Sequence, residues 1–581
     1  MDPNRDREDS GSGVDREHTS SYQRSKGVTL KNHKIKSSLW LIVAVAVVAL
    51  ALVVAGCGSS DKGGSNSTTD QGTPKPGGTY NYALSAEPVC IEPLNAQESE
   101  GIQVAHQCFV GLVSYEGQPD DSIKVVPGVA ESWTPNADAS VWTFKLRKDA
   151  TFAPPVSRVI TAQDFVYSWN RATDPKNQSY VSYILSAVKG CNDGGYWDNK
   201  TGLTGVKAID DYTLEVTLRY PFAEFPMTLG HTVAAPVPQE YVEKVGNKEF
   251  GNKPVGNGPY MVQEWKHNEK VVLVKNPDYW DKENAGYVDT INMPVYLQTS
   301  TEWLDFQKGT IDYTHVPPGQ VTASQNMPEV TDGTWTAKKY PNLGVYFVGI
   351  NMNNAVVGGT NGLPLRQALY YGLDQQAVIN VVNEGVGLPA QGYVPVGISG
   401  YRPNQSPYSY DPEKAKQMIT EAGGPTLTYW YNTDEGHQKI AEAVQASWDA
   451  AGIKTELSNY EWGTFLDKIK GKDHQLFRMG WGADYPSMDN FLFPLFQSSQ
   501  SPYMGNFYNN PEFDALLQQA RGTADESARH ELYAQAEKMA LTDIPAIPIY
   551  FYQLYRVTNN RIGGFQRNSM DFTDMWKVWV K

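Results

Sequence analysis

Gly480-Trp481-Gly482-Ala483-Asp484-Tyr485-Pro486 sets two glycines around a tryptophan and places a single carboxylate three residues further on. Glycine leaves room for another chain to approach the backbone. Tryptophan gives a large, stiff, amphipathic contact surface. Read alone, Asp484 is an ordinary surface or helix-capping aspartate, and only its surroundings give it more meaning. Working outward, Thr79 to Leu84 and Val141 to Arg147 alternate as half-buried strands do. Asp211 to Leu218 reads as a strand after a turn, and Pro254 to Tyr260 as a glycine- and proline-punctuated turn into another. Helices are expected over Ile102–Leu112, after an N-cap at Thr161, over Pro364–Leu373, after the Asp411-Pro412 start, over Ile440–Ala451 and over Ala534–Leu541. No internal repeat is visible. Helices and strands mix throughout, which predicts an α/β chain of several lobes.

Composition narrows the function classes. The chain carries a formal charge of −15, and residues 1–56 hold eight basic and six acidic side chains, so the remainder carries −17. An acidic body argues against nucleic acid, which needs basic stripes. About 500 residues beyond residue 77 exceed a single core and call for two or more domains. The 15 Trp and 34 Tyr supply contact surface, most of it ordinary core. There is no Gly-x-Ser-x-Gly elbow, no His-Glu-x-x-His and no P-loop. Gly256-Asn257-Gly258-Pro259-Tyr260-Met261 lacks the last glycine of a dinucleotide loop. The nine histidines show no metal spacing. No catalytic residue, metal site or cofactor is therefore expected.

The cysteines are four. Cys57 closes an uncharged run, Leu39 to Gly56, behind Lys31, Lys34 and Lys36. Basic flank, apolar core and small residues are the layout of a secretory signal, and Val54-Ala55-Gly56-Cys57 resembles a bacterial lipobox. The resemblance implies a lipid on the Cys57 sulfur. The competing reading is a plain transmembrane helix, since a span needs about 20 residues. On the lipobox reading, residues 1–38 are a disordered cytoplasmic lead, 39–56 the signal segment and 57–77 a flexible Gly/Ser/Thr/Asp-rich tether. The rest would lie on the outer face of the cytoplasmic membrane, at the cell surface or in a periplasm. Outside the membrane thiols tend to oxidise. Cys90 and Cys108, the closest pair in sequence, are a candidate disulfide, with Cys191 as competitor.

Several strings occur in a fixed order: Pro127-Gly128-Val129-Ala130-Glu131-Ser132-Trp133, Trp142 to Arg147, Ala162 to Trp169, Asn257-Gly258-Pro259-Tyr260, Asn276-Pro277-Asp278-Tyr279-Trp280, Arg366-Gln367-Ala368-Leu369 and Gly480 to Pro486. Together they resemble the extracellular solute-binding proteins of family 5, the oligopeptide/dipeptide-binding lipoproteins of ABC importers. The resemblance runs from about Gly78 to near the C-terminus. It implies a large three-lobed periplasmic-binding-protein fold of type II (cluster C) that closes by a hinge. Lobe I would comprise 78–109, 239–343 and 554–581, lobe II 110–238 and lobe III 344–553. The implied function is capture of short peptides and delivery to membrane permease subunits, by a monomer that performs no covalent chemistry. Backbone and termini would be bonded, as in strand addition, and side chains would sit in hydrated pockets.

The resemblance also assigns residues. Asp484 would pair with the peptide α-ammonium. Gly480, Trp481 and Gly482 would run beside the peptide backbone. Trp462 and Tyr180 would be aromatic walls, with core packing as the rival reading. Arg478 and His437 would engage the carboxylate side, although His437 reads equally as a surface histidine near a helix start. Two positions depart from the family pattern: a lysine falls on Asn354 and a second arginine on Ile469. Strand alternation around Ile469 would turn Lys468 and Lys470 to the opposite face. A non-peptide solute such as a nickel chelate or an oligosaccharide, or a signalling peptide, remains open on the same fold. A secreted hydrolase is the alternative from another class.

Overall fold

The computed structural model describes residues 73–581 except Gln97, Pro119, Asp120, Asp193, Asn199, Lys200, Pro318 and Asp434. The lead, the signal segment and the tether as far as residue 72, Cys57 included, lie outside the described residues. The mixed α/β expectation holds, and the strands gather into three main sheets. One has four strands in the order Thr79–Asn81, Thr290–Pro294, Lys270–Lys275, Tyr260–Lys266. Its first pair is parallel, with Thr79 opposite Thr290. A second, fully antiparallel sheet runs Ala130–Pro135, Val141–Leu146, Thr213–Thr217, Val206–Asp210. The largest follows the order Tyr313–His315, Ala546–Asn559, Trp335–Ile350, Leu476–Gly482, Leu427–Asn432, Thr455–Tyr460.

Alternation explains how these sheets bury their faces. Trp142, Phe144 and Leu146 point into one core while Thr143 and Lys145 turn away. The large sheet is covered on both faces. Val345, Phe347, Phe477 and Met479 enter one apolar cluster, and Tyr346, Val348, Ile350 and Leu476 enter another on the opposite side. Two strands are unusually long: Trp335–Ile350 with 16 residues and Ala546–Asn559 with 14. They pair antiparallel, with the register shifting between Pro341 and Val345.

Helix starts follow the capping residues. The Thr161 N–H and hydroxyl donate to the Asp164 carboxylate at 2.8 and 3.2 Å, and helix Ala162–Thr173 begins there. Asp411 accepts the Lys414 N–H ahead of helix Pro412–Glu421. Three expectations need correction. The helix expected over Ala534–Leu541 spans Glu526–Asp543, because its N-terminal half is polar and carries no apolar period. The segment around Ile469 is a helix, Trp462–Lys470, and Ile469 is fully buried in the core, so no side chain at this position reaches solvent or ligand. Lys468 instead folds over the rings of Trp430 and Tyr460.

The Cys90–Cys108 disulfide is not formed: Cys90, Cys108 and Cys191 are free thiols. Helix Ser99–Cys108 is the reason. The Cys90 carbonyl sits against Gly101 in its first turn, 2.1 Å from where a Cβ would be. Cys108 is seven residues, or about 10 Å, further along the helix axis, beyond the roughly 7 Å that a disulfide tolerates between Cα atoms. Cys191 packs in a different core from Cys108.

Candidate functional site

A cavity of 510 Å³ opens where the three main sheets' surroundings meet. Ser99, Ile102 and Gln103 of the first long helix form one wall, together with Ser569 to Phe572. Tyr180, Tyr183 and His231 come from the region of the second sheet. Gly482, Ala483 and Asp484, just past strand Leu476–Gly482, close the third side with Tyr552.

Asp484 is held by Asn490 and Tyr183. The Asn490 amide donates to its carboxylate at 3.3 Å, while the Asn490 oxygen accepts the Asp484 N–H at 2.9 Å and the Trp481 indole N–H at 3.1 Å. Asn490 is fully buried and fixes the tryptophan and the carboxylate together. No cation pairs with Asp484 among the described residues. Burial raises its pKa to about 6, against the lowering effect of Tyr183 and Asn490. Such a carboxylate has hydrogen-bond partners but no cationic one among the described residues, which favours an incoming cation.

The glycines act differently from one another. A Cβ at Gly480 would stand 2.3 Å from the Tyr552 hydroxyl, so packing requires the glycine there. Gly482 faces open space at the cavity. Trp481 turns from the first cavity into a neighbouring apolar one of 330 Å³, lined also by Tyr220, Phe222, Phe493 and Met504. Tyr183 borders both.

Arg478 and His437 meet at a third residue. The Arg478 Nε donates to the Tyr346 hydroxyl at 3.1 Å and Nη1 to Asn432 at 2.9 Å, and Nδ1 of His437 lies 3.3 Å from the same hydroxyl. Both hydrogen-bond partners of Arg478 among the described residues are uncharged, so its positive charge stays available. Neither Arg478 nor His437 lines the 510 Å³ cavity. Trp462 is half exposed and stacks on Phe465 at 5.9 Å, away from that cavity. Tyr180 is 69% exposed on its rim. Asn354 organises its own loop by accepting the Val356 N–H. His231 is buried, which lowers its pKa to about 4 and keeps it neutral. Sequence reading missed Asn490, Tyr346 and Tyr183. Their partners lie far away in the chain or behind an unremarkable local sequence, so no short string announced them.

A family model described as bacterial extracellular solute-binding proteins, family 5 Middle, matches residues 124–503. The chain belongs to this family. It is 31% identical over 531 residues to the oligopeptide-binding protein OppA of Bacillus subtilis, covering 88% of this chain and 94% of that one. It is 34% identical over 500 residues to the periplasmic oligopeptide-binding protein OppA of Escherichia coli, with 82% and 88% covered. Among solved structures, the murein tripeptide binding protein MppA of Escherichia coli superposes with a TM-score of 0.69 at 29% identity, over 86% of this chain and 98% of that one. OppA of Haemophilus influenzae in complex with RPPGFSPFR gives a TM-score of 0.69 at 26% identity, over 87% and 100%. The fold is thus that of the family 5 periplasmic binding proteins, and the family member described here is a binding protein rather than an enzyme.

Proposed function

We propose that this family 5 protein is a lipid-anchored receptor that captures short peptides outside the membrane and hands them to an ABC permease. The observation that carries the peptide reading is Asp484: a carboxylate in the cavity wall, held by Asn490, with no cation opposite it among the described residues. A peptide α-ammonium is the cation that fits, and the charge-assisted bond gains strength as the cleft closes. The names of the relatives, oligopeptide-binding and murein tripeptide-binding proteins, point the same way. Gly482 leaves space for a backbone beside Asp484. Trp481, Tyr183 and the apolar cavity behind them suit a side chain.

In this reading lobe I (78–109, 239–343, 554–581), lobe II (110–238) and lobe III (344–553) each contribute one wall. The long strands Trp335–Ile350 and Ala546–Asn559 cross the boundary between lobes I and III, so bending there opens and closes the cleft. Arg478 and His437, joined through Tyr346, serve the far end of a longer ligand, and Trp462 and Tyr180 its side chains. Lipidation at Cys57 holds the monomer at the outer face of the membrane.

The test is to purify the chain from Gly58 onward, unfold it, and analyse the released small molecules by mass spectrometry. A set of short peptides with varied side chains supports the reading. A single defined non-peptide compound refutes it. For the anchor, a labelled fatty acid fed to cells is incorporated into the wild type and not into Cys57→Ser if the cysteine is lipidated, and is incorporated into neither if a transmembrane helix does the anchoring.

A further inference from the structure

The ligand cavity continues at Ser99, Gln103 and Asp571 into a second, polar cavity of 160 Å³. Its lining includes His315, Arg556 and Arg567. In the large sheet His315 lies directly opposite Arg556, and Arg556 directly opposite Lys338. Residues paired this way share one face, about 5 Å apart, and like charges so placed repel. Three basic side chains therefore cross three adjacent strands in a row.

Arg567 adds to them from outside the sheet. The Arg556 Nε and the Arg567 Nη1 both donate to the single hydroxyl of Tyr313, at 2.8 and 3.1 Å. A neutral oxygen thus holds two guanidinium groups together.

The nearby carboxylates are mostly committed. Asp571 pairs with Arg567. Glu302 is fully buried and engages the ring and backbone N–H of His315 and the hydroxyl of Thr314. Glu100 accepts from Ser85 at the cavity wall and is the one acidic group there without a basic partner among the described residues. Among the described residues Arg556 bonds Tyr313 and the Tyr555 carbonyl, both uncharged, and Lys338 lies over the Tyr340 ring without a carboxylate partner. The field of this corner is felt locally: burial and then the Arg556 charge lower the pKa of His315, against the pull of Glu302.

We propose that this cavity is an anion subsite of the cleft, in which Arg556 receives a carboxylate of the bound ligand. The inference rests on the peptide reading above. Arg556 carries its fork at the cavity edge, and a carboxylate there accepts two parallel N–H bonds and relieves the repulsion between Arg556 and Lys338. The carboxylate is either the C-terminus of a very short peptide or an acidic side chain of a longer one.

The experiment equilibrates the protein with an equimolar library of tripeptides and tetrapeptides, each made as free acid and as amide, and reads the retained fraction by mass spectrometry. The wild type is expected to enrich free acids over amides, or Asp- and Glu-containing peptides over their Asn and Gln counterparts. The first pattern identifies the C-terminus, the second a side chain. In Arg556→Gln that preference should fall at least about tenfold, with neutral amides retained as before, which also reports that the variant is folded. Arg556→Lys, which keeps the charge but not the fork, should keep part of the preference. Glu100→Gln should strengthen it by removing the one competing carboxylate. Unchanged acid preference in Arg556→Gln, or an equal loss for acids and amides, overturns the subsite. Loss of all free-amino peptides in Asp484→Asn, with the acid preference intact in what remains, concerns the ammonium anchor alone. Retention of no peptide by the wild type overturns both.

Discussion

Asp484→Asn is the sharpest perturbation of the ligand site. The substitution keeps the shape and an oxygen to accept the Asn490 amide, and removes only the charge. Truncating one partner of a buried, hydrogen-bonded ion pair costs about 2–5 kcal/mol. Asp484 stays partly open to the cavity, so the lower part of that range applies. At about 1.4 kcal/mol per tenfold, the expected loss is about 30- to 300-fold in affinity for a peptide with a free amino terminus. An N-acetylated peptide, which offers no cation, should bind wild type and variant alike. The pH profile gives an independent arm. In the free protein the carboxyl titrates at about 6, because burial favours its neutral form. A bound ammonium favours the ionised form and lowers that value. Affinity is therefore full well above pH 6 and declines as pH falls through it, to about one tenth at pH 5. The variant should show no such slope. Isothermal titration of one peptide and its acetylated twin, from pH 5 to pH 8, reads both effects. A variant that keeps the wild-type ratio between the two peptides, together with a flat profile in the wild type, refutes the ammonium assignment.

Three further predictions concern stability and the thiols. Glu537 accepts the N–H groups of Tyr393 and Val394 at 2.7 and 2.9 Å, yet burial raises its pKa to about 7. A raised carboxyl contributes fully below its unfolded value and loses that contribution as pH rises through 7. Glu537→Gln should thus melt higher than wild type at pH 8, by up to about 3 kcal/mol in stability, and not at pH 4. An equal pH dependence of Tm in both proteins would count against it. Asp489 accepts two bonds from buried Arg521 and the hydroxyls of Tyr485 and Tyr533. Asp489→Asn leaves that guanidinium uncompensated and should cost about 3–5 kcal/mol in urea melts. Titration with a thiol reagent after unfolding should find three free thiols in the chain from Gly58 onward, since Cys90, Cys108 and Cys191 are unpaired.

The sequence was most readable where one local rule decided the outcome. Val141–Leu146 alternates because one face meets a core, and Asp411 and Thr161 mark helix starts because their oxygens or N–H groups settle the first turn. Residues 526–533 were missed because a helix needs no apolar stripe where a buried neighbour such as Glu537 anchors it further on. Around Ile469, two lysines flanking an apolar residue fit strand and helix alike, and the helix won. For the site, the string around Asp484 was visible, but its holder Asn490 was not, since nothing in the intervening Tyr485 to Asp489 signals the turn back. Arg556 could not be found by spacing. Its meaning comes from its cross-strand neighbours His315 and Lys338, more than 200 residues earlier in the chain.

The first sheet also sets the order in which the molecule can be finished. Thr79 pairs with Thr290, the Asn81 N–H donates to Asp312, and the Thr79 carbonyl accepts from Arg561. Gln107 likewise donates to the Thr573 carbonyl at 3.0 Å. The first strand of the described residues therefore has no sheet partner until about half of the chain has been made, and its bond from Arg561 waits for nearly all of it. Contacts of such separation slow folding, because a long loop must close before any of them forms. For a member of an extracellular family, delay is useful: a polypeptide that must thread a translocation channel unfolded is kept open by its own topology. Its contacts with Arg561 and Thr573 form only once its last residues have followed its first to the far side.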